Sequence, residues 1–405
     1  MLKDRKTLLF LLGNFYSFFL TGALVLMLGA VMPYLLKDYQ LSYDQGGTLL
    51  MLQAAGNLTA AVLGGIISSY TGRRSVLIFG TLTYVIGYGG IAFIPSTALL
   101  YIFLIISGFG WGIINNLVNV IVSERTKGHA GILNVLHMFF AVGAVSGPFL
   151  VSLVISLGLG WKTAMGIMAV LSLLLAYVFL RMDMPGPTEE SDMTDGSISG
   201  PKSRISLSFL RDIRFYVFML LLFSYVGSEN SVNGWLTTYL LDTGIADELF
   251  AQRILSLTWL AVIAGRLSSA WLSRHLSKEI LLLAGGAASL FFFILLTLAG
   301  SPAMVFISVI GLGLSFAGIY PNTVANADYL IQGSGTAGGL MFSWGALGAS
   351  LVPYIIGYRA EAGGIASGMR TLFIPLLFLV ILCLVNLLLS KRRVFFNTEL
   401  SSIQK

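Results

Sequence analysis

The sequence predicts an all-α, polytopic membrane protein with twelve transmembrane helices in two six-helix repeats. Of its 405 residues, 56% are hydrophobic and 10% are charged, whereas a soluble domain has about 25% charged residues. Apolar stretches of about 20 residues, the length that crosses a bilayer as a helix, recur along the whole chain. A polar segment near the middle divides these stretches into two sets of six.

Each of the twelve stretches has the length and hydropathy of a membrane span. The first contains polar residues such as Asn14 and Tyr16 and is longer than the apolar core of a cleaved signal peptide, so we interpret it as a span. In chain order, the predicted spans are 8–36, 46–69, 75–95, 98–123, 131–157, 161–181, 214–241, 250–274, 279–300, 303–326, 335–358 and 369–390.

A polar linker separates the two sets of spans. Residues 182–213 begin with Pro185 and Pro187, continue with several acidic residues and contain few apolar side chains. Such a composition does not form a packed core. The sequence therefore predicts an N-terminal six-helix half over 1–181, a cytoplasmic linker over 182–213, and a C-terminal six-helix half over 214–405 with a short cytoplasmic tail.

Lysine and arginine are distributed unevenly between the two sides of the membrane. With the N-terminus inside, the cytoplasmic segments hold eighteen of these residues and the outer segments hold five. Basic loops stay in the cytoplasm. This distribution predicts a multi-pass protein of the plasma (inner) membrane with both termini and the linker in the cytoplasm. The remaining basic residue, Arg266, lies within the eighth span.

The two halves share an internal pattern. At an offset of 203 residues, Gly108 of the fourth span aligns with Gly311 of the tenth, and Asn119 aligns with Asn322. The first and seventh spans align at an offset of 205. These matches predict two parallel repeats, and transporters built in this way place the substrate site at the repeat interface near the bilayer midplane.

The segment between the second and third spans resembles the loop signature of the major facilitator superfamily. It reads Gly-Ile-Ile-Ser-Ser-Tyr-Thr-Gly-Arg-Arg over 65–74. In that family a glycine, an aspartate and a Gly-Arg-basic triplet form a cytoplasmic latch. The triplet corresponds to Gly72, Arg73 and Arg74, which the resemblance implies are gating residues, while Ser69 stands in the aspartate position. The alternative interpretation is that these arginines only set the membrane topology.

Three further segments resemble the fucose-galactose-glucose:proton symporter family within that superfamily. They are 225–235 in the seventh span, 134–148 in the fifth and 311–322 in the tenth. The resemblance implies uptake of a sugar or polyol by alternating access, coupled to protons. The fourth span departs from the family, since it has Asn115 and Asn116 where members often place an acidic residue for the proton or sodium pathway.

Glu229 is the deepest carboxylate of the chain. Charge deep in a span usually faces a water-filled cavity or a charged partner. Tyr225 and Asn233 lie four residues either side of Glu229 and share its face. We expect Glu229 and Asn233 to bind substrate and Glu229 to carry the coupling proton, the alternative being a hydrogen bond to a neighbouring helix. Arg266 is either the ionic partner of Glu229 or a residue that extends to the cytoplasmic surface.

Further candidate ligands are amides and aromatic residues. Amides recur at helical spacing on several spans, and they match the paired hydroxyls of a sugar, while aromatic rings match its apolar faces. Interhelical hydrogen bonds and plain packing are the alternatives for each residue. His137 of the fifth span is a candidate proton relay or hydrogen-bond partner. The remaining candidates are Asn57, Asn115, Asn119, Asn322, Trp235, Trp259, Tyr320 and Trp344.

These observations exclude several function classes. The sequence has no nucleotide-binding Gly-rich motif, no nucleophile elbow and no histidine or cysteine spacing for a metal, so no cofactor, metal or enzymatic activity is expected. Its basic residues form no stripe for nucleic acid. The expected partners are a small-molecule substrate, membrane lipids and a coupling ion, H+ or alternatively Na+, acting on a monomer. A drug or metabolite exporter and a non-transporting receptor or lipid-handling protein remain alternatives.

Overall fold

A computed structural model describes residues 5–94, 96–184, 208–331 and 335–403. Within these residues all regular structure is helical. The α-helices are α1 (Arg5–Asp38), α2 (Tyr43–Thr71), α3 (Arg73–Phe93), α4 (Thr97–Arg125), α5 (Ala130–Ser156), α6 (Trp161–Arg181), α7 (Ile213–Asp242), α8 (Glu248–Leu272), α9 (Lys278–Thr297), α10 (Pro302–Phe316), α11 (Ile319–Ile331), α12 (Gly335–Arg370) and α13 (Phe373–Ile403).

The helices reproduce the twelve predicted spans. Each predicted start lies within four residues of an observed helix start, and α10 and α11 together form the tenth span. By length and hydropathy alone, eleven stretches among the described residues qualify as spans. The count is eleven because α12 and α13 are taken as one stretch, although Gly363 and Gly364 interrupt the helical geometry there. Most of the predicted linker, 185–207, lies outside the described residues.

Helix starts near the ends of the spans are stabilised by short polar side chains. Ser96, Asp247, Ser277 and Ser301 each precede a helix, and each side chain accepts a hydrogen bond from a backbone N–H in the first turn. The first-turn N–H groups have no partner within the helix, so this capping replaces the water that they would otherwise bind. Pro302 opens α10 at a position where a missing N–H is harmless.

The chain forms two compact units, 1–205 and 206–405. In the first unit, α1 packs on α5 and α2 packs on α4, while α3 contacts both α4 and α6. Glycine permits these close approaches: a Cβ on Gly143 would collide with the backbone oxygen of Phe19, and a Cβ on Gly108 would collide with that of Gln53. Small residues at helix contacts are the usual means of tight packing in membranes.

The second unit repeats this packing. α7 packs on α12, and α10 packs on α8 and α9. A Cβ on Gly348 would collide with the backbone oxygen of Phe223, and a Cβ on Gly313 would collide with that of Thr258. The same device therefore serves both halves.

These contacts fix the offset of the internal repeat at 205 residues. The α2–α4 contact of Gly108 with Gln53 corresponds to the α8–α10 contact of Gly313 with Thr258. Helices α2, α3, α4 and α5 also begin 205 residues before α8, α9, α10 and α12. The predicted offset of 203 for the fourth and tenth spans is therefore wrong by two residues, and Asn119 is not the counterpart of Asn322. At 205, Asn115 corresponds to Tyr320.

The tenth span is broken in its middle. α10 ends at Phe316 and α11 begins at Ile319, and the two residues between them form a turn in which Ala317 keeps helical dihedral angles. Pro321 contributes to the break because it has no N–H to donate to the carbonyl four residues earlier. Irregular backbone at membrane depth is tolerated where protein or a water-filled cavity surrounds it. Two of the candidate site residues, Tyr320 and Asn322, follow this break directly.

Candidate functional site

The middle of α7 carries a polar stripe. The Tyr225 hydroxyl donates a hydrogen bond of 2.8 Å to Oε1 of Glu229. These two residues are one turn apart, as their spacing predicted. Tyr225 is buried, and Glu229 is half-buried. A carboxylate in this setting can bind and release a proton or accept hydrogen bonds from a solute.

Helix α8 extends the stripe. The indole Nε1 of Trp259 donates to Oδ1 of Asn233 at 3.2 Å. Arg266 lies within electrostatic range of both Glu229 and Tyr225, yet it forms no ion pair with Glu229 within 4 Å. The structure therefore places Arg266 near Glu229 as a charged neighbour, without direct contact.

Aromatic side chains of three other helices border this stripe. The ring of Tyr225 makes an edge contact with Phe316 at the end of α10, with 5.8 Å between ring centroids, and it lies 6.5 Å from the ring of Tyr320 in α11. Tyr320 stacks on Phe342 of α12 at 6.3 Å and remains 41% exposed. Sequence reasoning missed Phe316 and Phe342, because nothing in their spacing distinguishes them from packing residues. We call Tyr225, Glu229, Asn233, Trp259, Arg266, Phe316, Tyr320 and Phe342 the C-half cluster.

Two predicted aromatic ligands make contacts between α7 and α12. Trp235 is completely buried, and its indole Nε1 donates to the backbone oxygen of Pro353 at 2.9 Å. Its side chain offers no free face to a solute, because it packs α7 against α12. Trp344 is half-buried on α12 and makes an edge contact with Phe223 at 6.0 Å.

Asn322 serves a helix contact. Its Nδ2 donates to Oγ of Ser269 at 3.3 Å, which joins α11 to α8. Its backbone oxygen accepts from Nδ2 of Asn326 at 2.8 Å. Asn322 is half-buried, so part of its amide stays open to a solute while one donor is engaged.

The predicted amides of the N-terminal half lie on α2 and α4. Asn57, Asn115 and Asn119 are all half-buried. Nδ2 of Asn119 donates to the backbone oxygen of Asn115 within the same helix at 2.7 Å. Asn116 is engaged differently, since its Nδ2 donates across to the backbone oxygen of Ala61 at 2.7 Å. Helix-to-helix bonding thus accounts for Asn116, whereas the three predicted ligands keep polar atoms free of interhelical bonds.

A buried polar network beside these amides was missed from the sequence. Nε2 of Gln53 donates to the Tyr88 hydroxyl at 3.2 Å and to Oγ of Ser107 at 3.4 Å. The Tyr88 hydroxyl donates to the backbone oxygen of Leu24 at 2.8 Å. All these side chains are buried. The network links α1, α2, α3 and α4, and it is a structural element with no open face.

His137 stands on an exposed part of α5. Its ring makes an edge contact with Phe18 of α1, with 5.4 Å between centroids.

The predicted gating segment forms polar contacts inside its own half. Arg73 binds the carboxylate of Glu124, at the end of α4, through both terminal nitrogens. Arg74 donates to the backbone oxygen of Met182, just after α6, at 2.8 Å. Gly72 supplies a φ of +85° at the turn between α2 and α3, a value that favours glycine. The sequence reading did not identify Glu124 as the partner of Arg73.

The chemical groups of the candidate site are those that recognise polar solutes. Among the described residues, no group of three or more histidine, cysteine, aspartate or glutamate side chains is arranged to hold a metal ion. The free cysteine, Cys383, is buried in α13. Hydroxyl, amide, carboxylate, guanidinium and aromatic groups remain, which recognise polar solutes by hydrogen bonds and stacking.

Comparison with known proteins gives a consistent picture. The profile of the Major Facilitator Superfamily matches residues 14–353. The glucose/mannose transporter GlcP of Bacillus subtilis is 22% identical over 355 residues, which cover 85% of this chain and 86% of that protein. The cis,cis-muconate transport protein of Acinetobacter baylyi is 22% identical over 373 residues, covering 87% and 88% of the two chains.

Solved structures share the fold. The D-xylose-proton symporter superposes with a TM-score of 0.75 at 14% identity, covering 94% of this chain and 97% of the other. The nucleoside transporter NupG superposes with a TM-score of 0.72 at 16% identity, covering 96% and 100%. At these identities the likeness concerns the fold and carries no information about substrate.

Proposed function

Because the chain belongs to the Major Facilitator Superfamily, and so is a multi-pass secondary transporter of a small molecule, we propose that it takes up a hydroxylated solute, a sugar or polyol, together with protons. The superfamily consists of transporters and not enzymes. The proposal concerns the substrate, the direction and the coupling ion.

The observation that carries the proposal is the bond between Tyr225 and Glu229 in the middle of α7. A carboxylate within a span is energetically costly, and such residues usually mark a functional site. Rings flank it, and Asn233 lies on the same face of the helix. Carboxylate, amide and aromatic groups together match the hydroxyls and the apolar C–H faces of a sugar ring.

Two sequence likenesses support the substrate class. The segments 225–235, 134–148 and 311–322 resemble the fucose-galactose-glucose:proton symporter family, and one relative is a glucose/mannose transporter. The half-buried amides Asn57, Asn115 and Asn119 are proposed as further ligands. We assign the coupling proton to Glu229, with His137 as a second group that can carry it and with Na+ as the alternative ion.

The remaining parts of the proposal concern membrane topology, oligomeric state and the cytoplasmic latch. The excess of basic residues in alternate loops supports a plasma-membrane protein with both termini in the cytoplasm. We propose that it acts as a monomer. The contacts of Arg73 with Glu124 and of Arg74 with Met182 support a latch that stabilises one conformation of the cytoplasmic loops. An exporter of drugs or other metabolites is the second candidate. One relative is a cis,cis-muconate transport protein, so the relatives of this chain are not confined to sugar transporters.

A counterflow screen tests the proposal. Purified protein in liposomes is loaded with one unlabelled sugar, polyol, nucleoside or aromatic acid at a time, and entry of the labelled compound is measured at pH 6 and pH 8. We expect exchange with one hydroxylated class, and accumulation driven by an inward proton gradient. Exchange confined to apolar aromatic compounds would refute the proposal in favour of the exporter.

A further inference from the structure

Arg266 lies on the face of α8 that is directed toward the polar stripe of α7. It follows Trp259 by seven residues, which is about two helical turns, so the two side chains leave α8 on the same face. Trp259 is bonded to Asn233 of α7, and that face therefore looks toward the polar stripe of α7. The neighbouring face of α8 is occupied by α10, because Gly265 packs against Leu314. The electrostatic influence of Arg266 on Glu229 and Tyr225 agrees with this placement.

The charged pair belongs to the C-terminal half alone. At the repeat offset of 205 residues, the counterpart of Glu229 is Leu24, and the counterpart of Arg266 is Ala61. Packing is shared between the repeats but these charges are not. An exposed arginine within a span and without a counterpart in the other repeat suggests a function in binding, because ionisable residues inside spans usually face a water-filled cavity or a partner.

The charges of this pair balance only while Glu229 is ionised. The arginine guanidinium is always protonated in proteins. Besides Tyr225 on its own helix, the titratable groups that reach Glu229 among the described residues are Arg266 of α8 and Tyr320 of α11. When Glu229 takes up a proton, the cluster holds one positive charge, on the exposed guanidinium of Arg266, and no other member of the cluster carries a counter-charge.

We propose that the substrate restores the balance, and that it is therefore a hydroxylated monocarboxylate, such as a sugar acid, which binds Arg266 through its carboxylate. This proposal rests on the proposed function and narrows its substrate class. The guanidinium presents paired N–H donors that match a carboxylate. The empty cluster holds Arg266 as a cation and Glu229 as an anion. The loaded cluster holds the cation, protonated Glu229 and the substrate anion, so both states have zero net charge.

Electroneutral transport follows from this balance. One anion and one proton cross together, so uptake depends on the pH gradient and is insensitive to the membrane potential. Symport of a neutral sugar with a proton would instead move one positive charge per cycle. The two substrate classes therefore differ in a property that can be measured on the same liposomes.

The test compares neutral sugars with the acids of the same skeleton. Binding of glucose, gluconate, glucuronate, galactose, galacturonate, xylose and xylonate to the purified protein is measured by calorimetry, with glucose 6-phosphate as a dianionic probe. We expect the acid of at least one pair to bind about tenfold or more tightly than its neutral partner, as a charge-assisted bond implies. Arg266→Gln should remove that preference, and Arg266→Lys should keep part of it.

The outcomes separate the two proposals. Tight binding of a neutral sugar with no acid preference, or potential-driven uptake, overturns the anion proposal and leaves the sugar proposal in place. Binding of none of these compounds, together with exchange of apolar compounds in the counterflow screen, overturns both. A stronger response to glucose 6-phosphate than to every monocarboxylate also overturns the charge balance. Melting temperatures of the Arg266 variants equal to that of the unmodified protein show that loss of binding is not loss of folding.

Discussion

Replacement of Glu229 by glutamine separates coupling from binding. The substitution removes the ionisable group and keeps the size of the side chain. In the structure Oε1 of Glu229 accepts a hydrogen bond of 2.8 Å from the Tyr225 hydroxyl. The amide oxygen of glutamine can accept the same bond, so the arrangement of α7 and its aromatic neighbours should persist. A change in transport then reports the loss of proton binding.

The expected magnitude follows from the energy of the proton gradient. A difference of about 1.5 pH units supplies about 2 kcal/mol per proton, since one unit corresponds to about 1.4 kcal/mol. With one proton per substrate and no membrane potential, this supports about 30-fold accumulation. For Glu229→Gln we expect accumulation to fall to about onefold. Exchange of labelled for unlabelled substrate should continue, because it needs no net movement of protons.

The assay uses liposomes with the membrane potential clamped at zero and a substrate identified in the counterflow screen. Tyr225→Phe is the matched control: it keeps the carboxylate and removes one hydrogen bond, which is worth about 0.5 to 1.5 kcal/mol. We expect this control to bind up to about tenfold more weakly and still to accumulate substrate. A Glu229→Gln protein that concentrates its substrate about 30-fold would refute the assignment of the coupling proton.

Three further predictions concern the rest of the molecule. Gly348→Ala should lower the free energy of unfolding by about 1 to 3 kcal/mol, because the added methyl meets the backbone of Phe223. The readout is a lower melting temperature in detergent. The control is Gly339→Ala in the same helix, which should be neutral because its methyl would meet nothing within 4 Å. Arg73→Gln and Glu124→Gln should slow transport to the same extent, and the double variant should be no slower than either single variant. This corresponds to a coupling free energy of about 1 kcal/mol between the two side chains. Fully additive losses would contradict the latch. A membrane-impermeant thiol reagent should fail to label single cysteines at the termini and in the linker of intact cells, whereas labelling would reverse the topology. The positions for these cysteines are Lys3, Thr194 and Lys405.

The spans could be predicted from the sequence because hydropathy and length determine them. Every predicted start lies within four residues of a helix start. The register of the repeat could not be predicted in the same way. Small residues are frequent in all spans, so a Gly-x-Gly match at an offset of 203 arises readily by coincidence. The offset of 205 becomes evident only when the packing partners of Gly108 and Gly313 are known.

Part of the candidate site was also readable from the sequence. Spacing of four residues predicted that Tyr225, Glu229 and Asn233 share a face of α7, and the first two are bonded. Partners on other helices were not readable, because they depend on helix rotation and crossing angle. Phe316 was missed for this reason. Trp235 has the same chemistry as Trp259, and only the fold shows that one is sealed in packing while the other borders the polar stripe.

The turn at 317–318 divides the tenth span into two shorter helices, α10 and α11, which can tilt relative to each other. α10 has 15 residues and α11 has 13, so the two rods are about 22 and 20 Å long at 1.5 Å per residue. A tilt of one rod by about 10° about the break at 317–318 would displace its far end by about 3.5 Å, by the same geometry. That displacement exceeds the diameter of a water molecule. Because Tyr320 stands beside the pivot, such a tilt would move its Cα atom by about 1 Å or less, by the same geometry.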